Sequence, residues 1–163
     1  MAQKITPCLW FDYDQAQHAA ELYTSLIPNS KILKTQTYGT AGAEAAQARG
    51  EKNITPDSVM TVEFELDGQR FVGLNGGPIF KFTEAASFQI HCEDQAEIDR
   101  YWEALTADGG EESQCGWLKD KFGLSWQILP KNLPELIENP DAMACMLKMQ
   151  KLDIAELEQA SGK

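Results

Sequence analysis

The sequence predicts an α+β fold: two βαβββ modules whose strands make a cup-shaped mixed sheet, followed by C-terminal helices. Three observations carry this. The order strand, helix, strand, strand, strand is legible twice along the chain. The tripeptide Asp-Gln-Ala opens the helix of each half, at 14–16 and at 94–96. Each half also closes in a hairpin, at Asp67-Gly68 and near Phe122-Gly123. The modules span residues 4–77 and 84–130, and residues 131–163 extend the same single domain with helices.

In the first module, "ITPCLWF" (5–11) alternates as a strand, and "DQAQHAAELYTSLI" (14–27) places Ala16, Ala19, Ala20, Tyr23, Leu26 and Ile27 at helical spacing, with Asp14 as the expected cap. Pro28-Asn29-Ser30 stops that helix, and "KILKTQTY" begins a second strand. Residues 39–57 lack a sustained apolar stripe and read as a long exposed connection, the kind that serves as a lid or binding loop. "SVMTVEFELDGQRFVGLNGG" is a hairpin of two alternating runs around Asp67-Gly68. The second module repeats the plan with "ASFQIHC", a helix from Asp94 ended by glycines, a short strand within residues 111–114, and the hairpin "CGWLKDKFGLSWQIL". In the tail, a helix over residues 133–138 precedes one with Asn139 as cap and Pro140 at its first position. Asp153 and Glu156 resemble a capping box for the last helix.

The bulk composition narrows the function. At 163 residues and 43% hydrophobic, the chain holds a full core without staples. A formal net charge of −11 opposes a nucleic-acid partner, which needs a basic face, and opposes adsorption to anionic lipid. No apolar run approaches the about 18 residues of a membrane span, and "MAQKITPCLW" lacks the apolar core of a signal peptide. Cys8, Cys92, Cys115 and Cys145 are scattered, with no C-x-x-C pair, and read as reduced thiols in a cytoplasmic protein.

Alternation sorts the strands into two faces. Met60, Val62, Phe64 and Leu66 should meet the helices, as should Phe88, Ile90 and Cys92. The opposite face collects Cys8, Trp10, Glu63, Ser87, Gln89, His91 and Gln127. Either that face is solvent, as half-buried antiparallel sheets allow, or the modules curl into a cup around a ligand. Trp10 and Trp117 favour the cup, because large indoles are seldom left on a wet face.

The stretches "ITPCLWFD", "SVMTVEFELDGQRFVGLNGGP", "FKFTEAASFQIHCEDQAEIDRYWEAL", "CGWLKDKFGLSWQI" and "MLKMQKLDI" cover most of residues 4–155. In these the chain resembles the vicinal oxygen chelate superfamily of glyoxalases, bleomycin-resistance proteins and dioxygenases, and within it the PhnB-like branch, also labelled demethylubiquinone methyltransferase-like. The resemblance implies paired modules and a homodimer. It also implies ligand positions for a metal, which fall near Cys8 on the first strand, around Asn75 on the fourth, near Ser87 or Gln89 on the fifth, and on Gln127 of the eighth. None is a carboxylate or imidazole, the groups that hard and borderline divalent ions bind best.

Each remaining candidate has a plain structural alternative. Glu63 could be a general base in an apolar cavity, or simply an exposed or interface glutamate. His91 could be an acid/base group, though a lone histidine at a strand end is more often structural. Cys8 would need an activating neighbour to be a nucleophile, and only Lys4 is local, so it reads as an inert thiol, as does Cys115. "LNGGP" (74–78) lacks the helix and Lys of a phosphate loop, so its glycines are assigned to the module crossing. Met143, Met146, Met149, Leu147 and Leu152 make an apolar patch suited to core or dimer packing.

The expected function is therefore small-molecule binding in the cup, through Cys8, Trp10, Glu63, Asn75, Ser87, Gln89, Trp117 and Gln127, with no bound metal and no cofactor. The alternatives are a metal-dependent lyase, isomerase or dioxygenase using Glu63 and His91, a methyltransferase by family label, or an interaction module. The methyltransferase reading lacks the Gly-rich strand-to-helix turn of a doubly wound cofactor domain.

Overall fold

The computed structural model describes residues 3–162. The chain divides into two compact units, one up to Lys81 and one from Phe82 onward.

The first unit contains β1 (Cys8–Phe11), α1 (Gln15–Leu26), β2 (Lys31–Thr37), α2 (Gly39–Ala48), β3 (Val59–Leu66) and β4 (Gln69–Asn75). Its sheet runs β1-β4-β3-β2, with β1 parallel to β4 and the other pairs antiparallel. The hairpin turns where expected, with Asp67 and Gly68 both at positive φ (47° and 76°), which suits the right-handed strand twist. Ala16, Ala19, Ala20 and Tyr23 form the buried stripe of α1, which packs on β3 and β4. Gly73 permits the approach, since a Cβ there would lie 3.2 Å from that of Ala16. Phe64 and Phe71, opposite each other on β3 and β4, stack at 5.6 Å.

Two expectations fail here. Residues 39–57 are not one open connection, because Gly39–Ala48 is a helix. Ala43 and Ala46 bury against Ile54, with Tyr13 and Tyr38 packed alongside, and alanine is the strongest helix former. Asp14 makes no capping bond and sits in the left-handed region at φ 60°. The N-terminus of α1 is instead satisfied from the sheet, by Asn75 Oδ1 accepting from Ala16 N at 2.8 Å.

The second unit contains β5 (Ser87–Cys92), α3 (Gln95–Thr106), β6 (Glu111–Glu112), β7 (Trp117–Lys119) and β8 (Ser125–Pro130). Its sheet runs β5-β8-β7-β6, again with the first and last strands of the module parallel. Asp94 caps α3 through Glu97 N, and Ile98, Tyr101, Trp102 and Leu105 bury its inner stripe. The β7–β8 turn is organised by Asp120, only 2% exposed, whose carboxylate accepts from Phe122 N, Leu124 N and Trp126 Nε1 at 2.9–3.1 Å. The tail forms α4 (Leu133–Ile137), α5 (Pro140–Met146) and α6 (Ile154–Ser161). Asn139 and Asp153 cap the last two through Asp141 N and Glu156 N. Met146, Met149 and Leu152 join Leu129, Leu133, Leu136 and Leu157 in one buried cluster, while Met143 and Leu147 stay exposed. No helix among the described residues is long and apolar enough to cross a membrane.

Candidate functional site

In each unit the sheet has one face under its helix and one turned away, and the candidate residues are described unit by unit. On the second sheet, strand register places Gln89, Gln127 and Trp117 side by side across β5, β8 and β7. Paired residues share a face, so these three side chains form one row. Gln127 is fixed at both ends of its amide: Nε2 donates to Ser87 Oγ at 2.9 Å, and Oε1 accepts from Gln89 Nε2 at 3.3 Å. That leaves one amide hydrogen and one lone pair on Gln127, besides the Ser87 hydroxyl hydrogen and the Gln89 carbonyl, for a further partner. The half-buried indole of Trp117 stands beside them. His91 lies on the same face at the exposed end of β5, opposite Leu129.

The next row on this face is Ser87, Ser125 and Lys119, continued by Glu111 on β6. Lys119 Nζ pairs with Glu84 at 2.5 Å. Ser125 and Lys119 were not singled out from sequence, although Ser125 is two residues from Gln127 and so shares its face.

On the first sheet the turned-away face carries Cys8, Val72 and Glu63 in one row and Trp10, Leu74 and Thr61 in the next. Trp10 Nε1 donates to the Gly77 carbonyl at 2.9 Å, and the ring of Phe80 meets Trp10 edge-on at 4.9 Å. Gly76 is required by this packing, since a Cβ there would lie 2.2 Å from the indole. The glycines of "LNGGP" therefore seat Trp10. Glu63 is half-buried and forms none of the ion pairs among the described residues. Partial desolvation pushes the Cys8 thiol above its ordinary pKa, so at neutral pH it is no activated nucleophile.

Asn75 stands apart from that face. It pairs with Phe11, on the helix side, and is 1% exposed. Besides the bond from Ala16, its Nδ2 donates to Gln17 Oε1 at 2.8 Å and to the Val59 carbonyl at 3.0 Å. The side chain is spent on joining α1 to the sheet.

A second polar group in the first unit had no sequence signal, because it depends on α2 and the segment after it. Tyr13 donates its hydroxyl to Glu51 Oε2 at 2.5 Å, and Arg49 pairs with Glu51 at 3.2 Å. The bond to Glu51 pushes the Tyr13 pKa up to about 12 and holds the Glu51 carboxyl below its ordinary value.

The sequence model of the 3-demethylubiquinone-9 3-methyltransferase family matches residues 3–129. The chain belongs to that family. Among solved structures, the PhnB protein from Bacillus cereus is 31% identical with a TM-score of 0.64, over 78% of this chain and 99% of its own. Two others share the fold: protein PA1353 from Pseudomonas aeruginosa (16% identity, TM-score 0.58, 80% and 98% covered) and the fosfomycin resistance protein FosX from Listeria monocytogenes, solved with Mn(II) and a sulfate ion (16%, 0.50, 85% and 97%). No curated protein matches the chain. The family model and the 31%-identical structure make this chain a PhnB-like protein, and its doubled topology is consistent with the vicinal oxygen chelate fold.

The resemblance to the vicinal oxygen chelate proteins implies a divalent metal, and the residues at the implied positions do not fit one. In the first unit these are Cys8, with a protonated thiol, and Asn75, whose amide is committed to the fold. In the second they are Ser87 and Gln127, which bond each other. Neutral hydroxyl and amide groups supply no charge to offset a divalent ion. Among the described residues, no three His, Cys, Asp or Glu side chains converge in a way that could hold a metal. Neither sheet has the doubly wound parallel order of a dinucleotide-type cofactor domain.

Proposed function

We propose that this PhnB-like protein binds a small organic molecule on the turned-away face of its second sheet, through hydrogen bonds and an indole surface and without a divalent metal. The observation that carries the reading is the row Gln89–Gln127–Trp117, with Gln127 held by Ser87. A fixed amide with unused donor and acceptor capacity, next to an aromatic plane, suits a ligand that is polar at one edge and apolar in its body. Cys8, Trp10 and Glu63 are the corresponding ligand-facing set on the first sheet. The protein is proposed to work as a homodimer in the cytoplasm.

Thermal-shift screening of small aromatic and polar compounds tests this, because a ligand that binds only the folded state raises apparent stability by mass action. Hits that persist in EDTA and disappear in Trp117→Ala support the reading. Hits that require a divalent ion would replace it with a metal-dependent lyase, isomerase or dioxygenase. The family description supplies a second reading, methyl transfer, and calorimetric binding of a sulfonium methyl donor would establish it.

A further inference from the structure

A cavity of about 100 Å³ opens on the same face of the second unit, bordered by Glu84, Glu111, Trp117, Lys119 and Ser125. Its charge is lopsided. Lys119 pairs with Glu84, and Glu112, also at the rim, already accepts the indole N–H of Trp102 at 2.6 Å. Glu111 lies directly across from Lys119 in the ladder and forms none of the ion pairs among the described residues. Glu111 acts on Lys119 through space without pairing to it, so Glu84, Glu111 and Glu112 surround a single ammonium and the rim keeps net negative charge.

A second, independent feature points the same way. Ser125 is 1% exposed, and its Oγ is the one buried side-chain polar atom without a hydrogen-bond partner among the described residues. It borders the cavity, on the Lys119 side of the sheet. A buried unpaired hydroxyl is costly, and such groups are usually satisfied by a partner. Lys119 does not fill the role, because its ammonium is turned to Glu84. Glu84 also keeps that lysine fully protonated, which leaves it no nucleophilic lone pair.

From this geometry we infer that the cavity is a subsite for a small ammonium group, held between Glu111 and Ser125 Oγ with Trp117 offering its face to the cation. The inference rests on the ligand-binding reading of this face and adds the chemical class of one end of the ligand. It assigns Gln127 to a neutral polar part of that molecule and the cavity to its amine.

The test is a ¹H–¹⁵N NMR titration of the full chain with three probes of similar size at constant ionic strength: ethanolamine, ethylene glycol and glycolate. Ethanolamine is expected to shift the Ser125 amide and the Trp117 indole at least about tenfold more tightly than either of the others. Glu111→Gln should weaken ethanolamine by a similar factor, and Lys119→Gln, which removes the resident cation, should strengthen it. Ser125→Ala should weaken ethanolamine while raising the melting temperature of the free protein, a pairing that a purely structural serine would not give. Preference for glycolate, or loss of binding in Lys119→Gln, would overturn the subsite in favour of an anion site. If neutral compounds shift Gln127 and ethanolamine has no advantage, the subsite is wrong and the ligand-binding reading stands. If nothing shifts any residue on this face at millimolar concentrations, both fail.

Discussion

The side chain of Asn75, at the end of β4, caps the helix on the far side of a loop: its Oδ1 accepts the backbone N–H of Ala16 at 2.8 Å. With Nδ2 donating to Gln17 and Val59, one buried amide ties three segments together. Asn75→Ala strands the Ala16 amide and the Val59 carbonyl, and is expected to cost about 2–4 kcal/mol, a lost cap plus buried unpaired groups. Urea denaturation checks the magnitude. Ligand affinity on the second sheet should be unchanged in the fraction that remains folded.

Gln127 should behave in the opposite way. It is half-buried, and Ser87 and exposed Gln89 can turn to water if the amide is removed. Gln127→Ala is expected to cost within about 1 kcal/mol of stability. It should weaken any compound found in the thermal-shift screen about tenfold, the worth of one well-placed hydrogen bond. Comparing the urea midpoint with the calorimetric affinity separates the two effects.

Thiol chemistry should be slow despite one exposed cysteine. Cys8 is exposed, but its pKa is pushed up, and Cys92 is fully buried and pushed up to about 12, mainly by desolvation. Since the thiolate is the reactive species, iodoacetamide should modify Cys8 more slowly than a free thiol at neutral pH, and faster as pH rises. Native Cys92 should resist it. Mass spectrometry of the alkylated chain follows both, and rapid capture at Cys8 near neutrality would mean an activating neighbour exists.

Acid should destabilise the fold through a few paired carboxylates. Hydrogen bonds from Tyr13 to Glu51, and from Lys151 and then Gln95 to Asp99, hold both acids below their ordinary values of 4.5 and 3.8. A depressed folded pKa stabilises above the unfolded value and loses that contribution as pH falls through the folded one. The urea midpoint should therefore be level near neutrality and begin to drop below pH 4.5. Tyr13 has the reverse sign: raised from 10 to about 12, it contributes below pH 10 and is lost between those values. Because these groups are only partly buried, solvent screening keeps the amplitudes small. Glu51→Gln should flatten part of the acid limb.

How far the sequence reaches depends on whether the deciding contact is local. The Asp67-Gly68 turn, the Ala16–Tyr23 stripe and the Asn139 and Asp153 caps are set by neighbouring residues, and all are where the pattern puts them. α2 was missed because its inner face is made of Ala43 and Ala46, whose methyl groups give almost no amphipathic contrast. The capping of α1 was assigned to Asp14, the adjacent acid, whereas the acceptor is 59 residues away. Asn75 was expected among the ligand-facing residues, yet Phe71, Gly73 and Asn75 alternate with Val72 and Leu74, so its parity was available from β4 itself. For Gln127 the parity could be counted from Gly123. Its bonds to Ser87 and Gln89 could not, because they come from the parallel β5–β8 register, a long-range pairing.

The most direct test of metal-free binding is the side-chain amide signal of Gln127 in a ¹H–¹⁵N spectrum, followed first with a compound from the thermal-shift screen and then with Mn²⁺ alone. The expected result is that the compound shifts the amides of Gln127 and Gln89 and the Trp117 indole together, saturably and equally well in EDTA, while stoichiometric Mn²⁺ leaves them unbroadened. Selective broadening of Gln127 at one equivalent of Mn²⁺, with no response to the compound until metal is added, would contradict it.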